Sequence, residues 1–275
     1  MGRALIWPVM NNSNTPLPLV SVVLVEPIDD LNVGMVARAM RNLKFSDLRI
    51  VTKRYIDPKR VAITSREEGQ IVFNNARFVS SLPEALADCE DVVGFSARDI
   101  KKNIFIGTTL SSWGAELCSA RKTIKTAVMF GPEDTGLRNE HVTYCRSLVR
   151  IPAYSEYSSF NLAQAVLLCL YEISRDFFLQ NENKQDEKSQ SPPENNVNPD
   201  KQVGHPRAKL SSYDTLDSLV YNSMVSSGFL RVGTPAPIPG LVKMIFRRLE
   251  LDEREMAILT GLFSKIVRSL KRKES

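Results

Sequence analysis

Three groups of polar and glycine residues have types and spacing that suit ligand binding and group transfer. Motif one, Asn32-Val33-Gly34-Met35-Val36-Ala37-Arg38, opens a predicted helix. Motif two, Phe130-Gly131-Pro132-Glu133-Asp134-Thr135-Gly136-Leu137, follows a predicted buried strand. Motif three runs from Ile151-Pro152 through Ser158-Ser159-Phe160-Asn161-Leu162-Ala163, between the last strand and the longest helix. Each motif follows the carboxyl end of a predicted strand, which is the edge where open α/β sheets bind ligands.

Each motif taken alone also has a purely structural interpretation. Asn32 could cap a helix, with Arg38 as an exposed helical cation, and Ser158 or Ser159 could cap the last helix. Gly131 and Gly136 could simply close a tight turn. Three such groups in this order within one chain favour a functional site.

The elements around the motifs alternate between strand-like and helix-like hydrophobic patterns from residue 19 to residue 180. Strands are predicted at 20–25, 48–51, 77–79, 92–95, 127–130 and 148–151, and helices at 33–44, 61–74, 82–88, 111–120, 139–144 and 158–179. The strands are continuous apolar runs, which is typical of sheets covered on both faces. The sequence therefore predicts an α/β fold with a mainly parallel sheet and flanking helices.

The remaining segments divide the chain into four parts. Residues 1–18 form an N-terminal lead, residues 19–180 the α/β domain, and residues 181–209 a polar linker that contains proline and has little to bury. Residues 210–275 form a C-terminal extension, in which helices are predicted at 211–226, 241–249 and 252–271. The extension is small for an independent core, so we expect a small all-helical domain that packs on another surface.

The composition excludes several classes of protein. The 275 residues carry 36 Lys+Arg against 31 Asp+Glu, a net charge of +5, and no apolar run long enough for a membrane-spanning helix. The four cysteines are widely spaced, which favours reduced buried thiols in a cytoplasmic protein. With two histidines, no Walker A loop and no G-x-G-x-x-G fingerprint, we expect chemistry that uses neither a metal nor a histidine base.

The three motifs resemble those of the SPOUT superfamily of RNA methyltransferases, in its SpoU (TrmH-like) branch. That branch is marked by N-x-G-x-x-A-R, F-G-x-E-x-x-G-L and I-P-x-x-x-x-x-S-S-x-N-L-A-Q-A, all of which occur here. Ser96-Ala97-Arg98 and the tail segments Ser227-Gly228-Phe229-Leu230 and Arg254-Glu255-Met256-Ala257-Ile258-Leu259 resemble the TrmJ-type tRNA (cytidine/uridine-2′-O-)-methyltransferases. The resemblance covers roughly residues 19–180 and 210–270.

The resemblance implies a trefoil knot, an S-adenosyl-L-methionine cofactor, and a homodimer whose active site draws on both subunits. No sequence pattern predicts a knot by itself, because knots are rare exceptions to ordinary topology. Backbone groups of the knotted loops would hold the cofactor without a dinucleotide fingerprint. The cofactor-binding residues that the resemblance implies are Phe95, Ser96, Ala97, Gly131, Ile151, Ser158, Ser159 and Phe160.

The implied reaction is attack of a ribose 2′-oxygen on the methyl group of the cofactor. Arg38 would clamp the target phosphate and stabilise negative charge on the 2′-oxygen, because a guanidinium stays protonated and is a poor general base. Asn32 would orient the substrate or Arg38, and Glu133 would organise the loops by accepting backbone hydrogen bonds. Ser159 and Asn161 would connect the long helix predicted at 158–179 to the cofactor and the ribose.

The segment from residue 38 to residue 66, called here the basic segment, carries nine basic residues against two acidic ones. Such a segment suits contacts with RNA phosphates, although a merely solvated face is the usual explanation of charge runs. Its proximity to motif one favours RNA binding. The predicted RNA-binding residues are Arg38, Arg41, Lys53, Arg54, Lys59, Arg60 and Arg66, with Arg98 outside the segment.

The function predicted from these features is ribose 2′-O-methylation of tRNA at nucleotide 32, a cytidine or uridine that begins the anticodon loop. Two alternatives remain open. The same chemistry could act on ribosomal RNA or at another tRNA position, since the shared motifs bind cofactor and ribose rather than an RNA sequence. The chain could instead be a catalytically silent RNA-binding homologue. A dinucleotide-dependent oxidoreductase is disfavoured by the missing glycine fingerprint.

Overall fold

A computed structural model describes residues 17–97, 107–121, 123–154, 159–186, 206–231 and 237–271. The strands are β1 (Val20–Val25), β2 (Asp47–Val51), β3 (Arg77–Val79), β4 (Asp91–Phe95), β5 (Gly107–Thr109), β6 (Thr126–Phe130) and β7 (Ser147–Arg150). The helices are α1 (Asp30–Asn42), α2 (Pro58–Asn74), α3 (Leu82–Leu86), α4 (Leu110–Ala120), α5 (Asn139–Val142), α6 (Leu162–Asp186), α7 (Leu210–Ser226), α8 (Pro237–Arg248) and α9 (Glu253–Lys271).

The seven strands form one sheet in the order β3-β2-β1-β6-β4-β7-β5, and every pair is parallel. Buried side chains of α1, α2, α4 and α6 pack against one face of the sheet, and those of α3 and α5 pack against the other. The α/β fold with a mainly parallel sheet is therefore confirmed, while the trefoil knot stays a prediction. Because all strands point the same way, their carboxyl ends meet at a single edge.

The C-terminal extension has its own small core and also contacts the α/β domain. Tyr213, Leu216, Leu251 and Met256 are buried together between α7 and α9. The amide of Leu210 donates to the carbonyl of Cys89 at 2.9 Å, which joins the start of α7 to the turn between α3 and β4. The α/β domain continues past its predicted end at residue 180, because α6 extends to Asp186, six residues into the predicted linker.

An ionic cluster joins the extension to the sheet. Glu250 pairs with Arg121, with Arg146 at 3.2 Å and with Arg207 at 2.7 Å. Burial raises the pKa of Glu250, but the hydrogen bonds from Arg121 and Arg207 outweigh it and the pKa falls below its usual value. Among the described residues, no helix is long and apolar enough to cross a membrane.

One member of the basic segment does not lie on the surface. Arg49, in β2, is fully buried, and its guanidinium bonds Asp47 and Asp88 at 2.6 Å each and the carbonyl of Ala85. A buried charge needs such partners, because transferring it out of water is costly. Arg49, which is not among the predicted RNA-binding residues, is therefore a structural member of the basic segment.

Candidate active site

Four adjacent strands carry the predicted site. In the order β1, β6, β4 and β7, their carboxyl ends lead into motif one, motif two, the Ser96–Ala97 turn and motif three. The sheet therefore places together segments that are far apart in the sequence. Of the residues predicted to be functional, Ser158 and Arg98 lie outside the described residues.

Motif one begins with a capped helix. Asp29 has an extended backbone, and its carboxylate accepts a hydrogen bond from the amide of Leu31 at 3.0 Å, so it acts as the N-cap of α1. The cap is therefore Asp29, and the side chain of Asn32 is left for other contacts. Gly34 lies where α1 crosses α2, and a Cβ there would collide with the side chain of Thr64 and the carbonyl of Val61.

Motif two is hydrogen-bonded to the start of α1 through Glu133. Its carboxylate accepts hydrogen bonds from the amides of Ile28 at 2.7 Å and Asp29 at 3.2 Å, and from the side-chain amide of Asn32 at 2.8 Å. A carboxylate is an acceptor only, and here both oxygens have donors. Glu133 therefore fixes the chain between β1 and α1.

Asn32 links motif two to motif three. While its side-chain N–H donates to Glu133, its side-chain oxygen accepts from Asn161 at 2.9 Å. The oxygen of Asn161 in turn accepts from the amide of Ala163 at 2.9 Å, which caps the first turn of α6. Glu133, Asn32 and Asn161 thus form one hydrogen-bonded chain, called here the motif chain, which contains one residue of each motif.

The turn of motif two depends on its glycines. Gly136 has φ of +63°, a conformation that glycine adopts without strain, and its amide donates to the carbonyl of Pro132 at 2.8 Å. A Cβ at Gly131 would collide with the backbone of Gly136 and Leu137. The two ends of the turn are therefore close together, and they hold Glu133 in place.

A cleft with a volume of about 190 Å³ opens beside the motif chain. Predicted cofactor-binding residues that line it are Phe95, Ser96, Ala97, Gly131, Ile151, Ser159 and Phe160. Its floor is rigid, because Phe95 stacks on Phe130 with ring centroids 4.6 Å apart and meets the edge of Trp113. Sequence reasoning missed the other lining residues, among them Pro132, Asp134, Thr135, Leu162 and Ala165, although most of them lie within motifs two and three.

Arg38 lies on the exposed side of α1, and its side chain makes no hydrogen bond or ion pair with any described residue. Its backbone is fixed by α2, because a Cβ added at Gly69 would come within 2.9 Å of its Cα. α2 breaks at Arg66, whose φ of 57° and ψ of −176° interrupt the helix. The break lets the halves of α2 contact different parts of α1, with Thr64 bonding the Leu31 carbonyl and Gly69 lying against Arg38.

The other predicted RNA-binding residues that the structure describes are exposed, but several have partners within the protein. Arg41 pairs with Glu68 at 2.8 Å, and Arg60 pairs with Asp29 at 3.2 Å. Arg54 bonds the carboxylate of Asp30 at 2.6 Å and two backbone carbonyls, which leaves two of its five N–H donors. Lys53, Lys59 and Arg66 are exposed, and their side chains make no hydrogen bond or ion pair with the described residues. Lys53 is nevertheless close enough to Glu26 to help lower the pKa of that carboxyl.

A second contact, between the segments that flank motifs one and two, has no counterpart in the sequence prediction. Arg138, next to motif two, bonds Glu26 at 2.9 and 3.3 Å, and this lowers the pKa of Glu26. The amide of Arg138 donates to Nδ1 of His141 at 3.2 Å. Burial, with the positive charge of Arg138, lowers the pKa of His141, which favours the neutral ring. Opposite charges 112 residues apart gave no sequence signal for this contact.

The chemistry of these groups suits positioning and charge stabilisation. Within the described part of the chain, no three His, Cys, Asp or Glu side chains converge as they would around a metal ion. The exposed Arg38, the motif chain and the neighbouring cleft instead provide a cation, a rigid set of loops and a place for a ligand.

Comparisons with known proteins point to one family. The model of the SpoU rRNA Methylase family matches residues 19–171, more than half of the chain. The tRNA (cytidine/uridine-2′-O-)-methyltransferase TrmJ of Escherichia coli (strain K12) is 31% identical over 252 residues, spanning 90% of this chain and 94% of that protein. The corresponding protein of Citrobacter koseri is 30% identical, spanning 90% and 96%.

Solved structures show the same fold. The crystal structure of TrmJ from Z. mobilis ZM4 aligns with a TM-score of 0.72 at 22% identity, covering 91% of this chain and 99% of that one. A probable methylase family protein from Haemophilus influenzae Rd KW20 aligns with a TM-score of 0.55 at 26% identity, covering 94% and 100%. The resemblance first drawn from the three motifs is thereby confirmed, and the chain belongs to the SpoU methylase family.

Proposed function

We propose that this protein transfers a methyl group from S-adenosyl-L-methionine to a ribose 2′-hydroxyl of tRNA, at nucleotide 32 of the anticodon loop. The observation that carries the proposal is the motif chain beside the cleft, because it joins all three motifs into one rigid site. The tRNA target is supported by relatives about 30% identical along nearly their full lengths, which are named tRNA (cytidine/uridine-2′-O-)-methyltransferases. As the site of this tRNA modification we propose the cytoplasm.

The cleft fits the cofactor in its chemistry. Apolar side chains of Ile151, Leu162 and Ala165 offer contacts to an adenine ring, and the backbone of Gly131 offers hydrogen-bonding groups. When bound, the cofactor supplies an electrophilic methyl group on a sulfonium. The residues of the cleft would hold it beside Ser159, which lines the same space.

The protein's own share of the reaction is alignment and electrostatics. Arg38 would bind the phosphate next to the target ribose and stabilise negative charge developing on the 2′-oxygen. The proton would leave to that phosphate or to water, since the guanidinium has no free lone pair. Asn32, Glu133 and Asn161 would keep the first turn of α1 in register with the cleft.

A homodimer is part of the proposal. Met35 of α1 and Leu167 and Tyr171 of α6 are exposed apolar side chains on two helices that pack against each other. Leu167 and Tyr171 are four residues apart and so share one helix face. We propose that this surface is buried against a second copy, which sedimentation of wild type and Leu167→Glu would test, with a monomeric variant expected.

The function is tested by incubating the protein with methyl-labelled cofactor and separate pools of unmodified tRNA and ribosomal RNA. Alkali-resistant linkages are then mapped, because 2′-O-methylation blocks cleavage at the modified nucleotide. Label at tRNA nucleotide 32 is the expected result. If the label appears only in ribosomal RNA, or at another tRNA position, the proposed target is wrong but the proposed 2′-O-methylation stands. Labelling of neither pool would favour a silent RNA-binding homologue.

A further inference from the structure

The loop between β2 and α2 presents an aromatic ring to solvent. Tyr55 is 79% exposed, more than any other large hydrophobic or aromatic side chain among the described residues. Its hydroxyl makes no hydrogen bond with the part of the chain that the structure describes. A large ring left in water lacks the burial that normally stabilises an aromatic side chain. Fold stability therefore gives no reason for an aromatic residue here.

The backbone beneath this ring is held firmly. The guanidinium of Arg54 donates to the carbonyl of Pro27 at 2.8 Å, to the carbonyl of Tyr55 at 3.0 Å and to Asp30 at 2.6 Å. The other oxygen of Asp30 accepts from the amide of Asp57 at 3.0 Å. The loop is thus fixed on both sides of Tyr55, so the ring is presented from a rigid base.

This base belongs to the edge of the sheet that carries the candidate active site. β2 lies next to β1, and the carboxyl end of β1 leads into motif one. Asp30, which holds the loop, is two residues from Asn32 of the motif chain. A ligand engaged by motif one therefore passes close to the loop of Tyr55.

The charges around the ring favour a polyanion. Lys53 and Lys59 are exposed on either side of Tyr55 in the sequence, and neither has an ion-pair partner among the described residues. Arg54 and Arg60, in the same loop and helix start, are paired with Asp30 and Asp29, so the two lysines supply the unpaired cations. An exposed aromatic ring among cations is the combination that binds unpaired nucleotides, with the cations contacting phosphates and the ring stacking on a base.

We propose that Tyr55 is a stacking platform for an unpaired nucleobase of the RNA substrate, next to the nucleotide that is methylated. The inference rests on the proposed function and adds a base contact that motif one does not supply. Stacking accepts any base, because every base has a π face. Tyr55 therefore favours unpaired loop nucleotides over paired ones, and it reads structure rather than sequence.

The test measures binding of a fluorescent anticodon stem-loop RNA and methyl transfer to the same RNA, for wild type, Tyr55→Ala, Tyr55→Leu and Tyr55→Phe. Loss of one base stack weakens RNA binding by about 5- to 150-fold. We expect that loss for Ala and most of it for Leu, with Phe close to wild type. Affinity for S-adenosyl-L-methionine, measured by calorimetry, stays unchanged. Phe229→Ala, which removes another exposed ring in the C-terminal extension, is the control.

Salt dependence separates stacking from charge. Tyr55→Ala keeps the slope of log affinity against log salt, whereas Lys53→Ala reduces it, because only the lysine releases a counterion from RNA. If Tyr55→Ala binds the RNA as tightly as the wild type does, Tyr55 is not a stacking platform. The same conclusion follows if Tyr55→Leu binds as tightly as the wild type. A change in oligomeric state on sedimentation of Tyr55→Ala would make the ring a protein contact instead. If the wild type methylates no RNA, the proposed function is wrong. That result differs from the outcomes above, which concern only the role of Tyr55 in RNA binding.

Discussion

Asn161 donates its side-chain amide to the side-chain oxygen of Asn32 at 2.9 Å, although 129 residues separate them. The side-chain nitrogen of Asn32 donates to the carboxylate of Glu133, and a carboxylate has no N–H to donate in return. Asn32 therefore cannot turn its amide around to accept another partner. Its oxygen needs the donor on Asn161, and its nitrogen needs the carboxylate.

Replacing Asn161 with Asp separates helix capping from active-site positioning. Aspartate caps a helix as well as asparagine does, so α6 keeps the acceptor for the amide of Ala163. The donor to Asn32 is lost, and two oxygens then face each other. We expect a smaller loss of stability than in Asn161→Ala, because the helix cap is kept. Methyl transfer should fall at least about tenfold, because the buried side chain of Asn32 loses its donor, a change worth roughly 1–3 kcal/mol.

Asn161→Ala is the companion variant. It loses both the cap and the donor, so its free energy of unfolding falls by about 1 kcal/mol as well. Equal loss of stability in Asn161→Asp and Asn161→Ala, or full activity in Asn161→Asp, would contradict the role of the motif chain.

Removing the guanidinium of Arg38 is expected to abolish catalysis without unfolding the protein. Its side chain is exposed and makes no hydrogen bond with the described residues, so the fold does not depend on it. Loss of a group that stabilises charge in the transition state lowers kcat about 100- to 1000-fold. Arg38→Ala is therefore predicted to bind S-adenosyl-L-methionine normally by calorimetry while transferring almost no methyl groups.

The matched control is Arg77→Ala. Arg77 is also an exposed arginine, but it starts β3 at the amino edge of the sheet, opposite the site, and pairs there with Asp47 and Asp88. Turnover by Arg38→Ala comparable to that of this control would remove Arg38 from its proposed role.

Adding one methyl group at Gly34 is expected to destabilise the site through the α1–α2 contact. The new Cβ meets the backbone carbonyl of Val61, which cannot move aside as a flexible side chain would. Overpacking of this kind costs about 1–3 kcal/mol. Denaturant titration of Gly34→Ala should show that loss, with a fall in transfer because α1 carries both Asn32 and Arg38.

Gly261→Ala provides the comparison in another helix. Nothing lies within 4 Å of a Cβ at Gly261 in α9, so alanine there is expected to stabilise by roughly 0.5–1 kcal/mol. If the two variants change stability alike, helix propensity rather than the helix crossing decides the effect.

Acidification is expected to weaken the fold through His141. Burial and the charge of Arg138 lower its pKa below the ordinary value of 6.5. Between that folded value and 6.5 the unfolded chain binds more protons, so the free energy of unfolding decreases as the pH falls. The contribution of His141 is complete above pH 6.5 and is lost as the pH falls through the folded pKa.

The comparison of wild type with His141→Gln isolates this residue. Urea titrations between pH 7.5 and 5 should give a steeper fall in stability for the wild type, because glutamine does not titrate. All other groups are common to both proteins. Parallel curves over this range would show that His141 titrates alike in the folded and unfolded chains.

The sequence was sufficient for the sheet but not for the details that complete the site. Continuous apolar runs predicted six of the seven strands, whereas β5, Gly-Thr-Thr, has no apolar run because it lies at the sheet edge. Parallel strands and their common edge predicted that the motifs would meet. Which atom bonds which could not be predicted, because it depends on side-chain directions set by turns such as the one closed by Gly136.

Charge and helix patterns failed where distant residues decide the outcome. Arg49 belongs by sequence to an exposed basic run, but Asp88, which lies 39 residues away, makes its burial possible. The break in α2 falls at an arginine with positive φ, a conformation that no helix propensity indicates. Both features arise from tertiary packing, which a local pattern does not contain.

The motif chain also sets an order in which the protein can become active during its synthesis. Asn32 leaves the ribosome more than 100 residues before Glu133 and 129 residues before Asn161. A nascent chain that ends at residue 130 can pair β1 with β2 and, near its end, with β6, yet it holds Asn32 without either partner. The motif chain is therefore complete only when α6 begins to form, so no nascent chain that stops before motif three carries a finished centre.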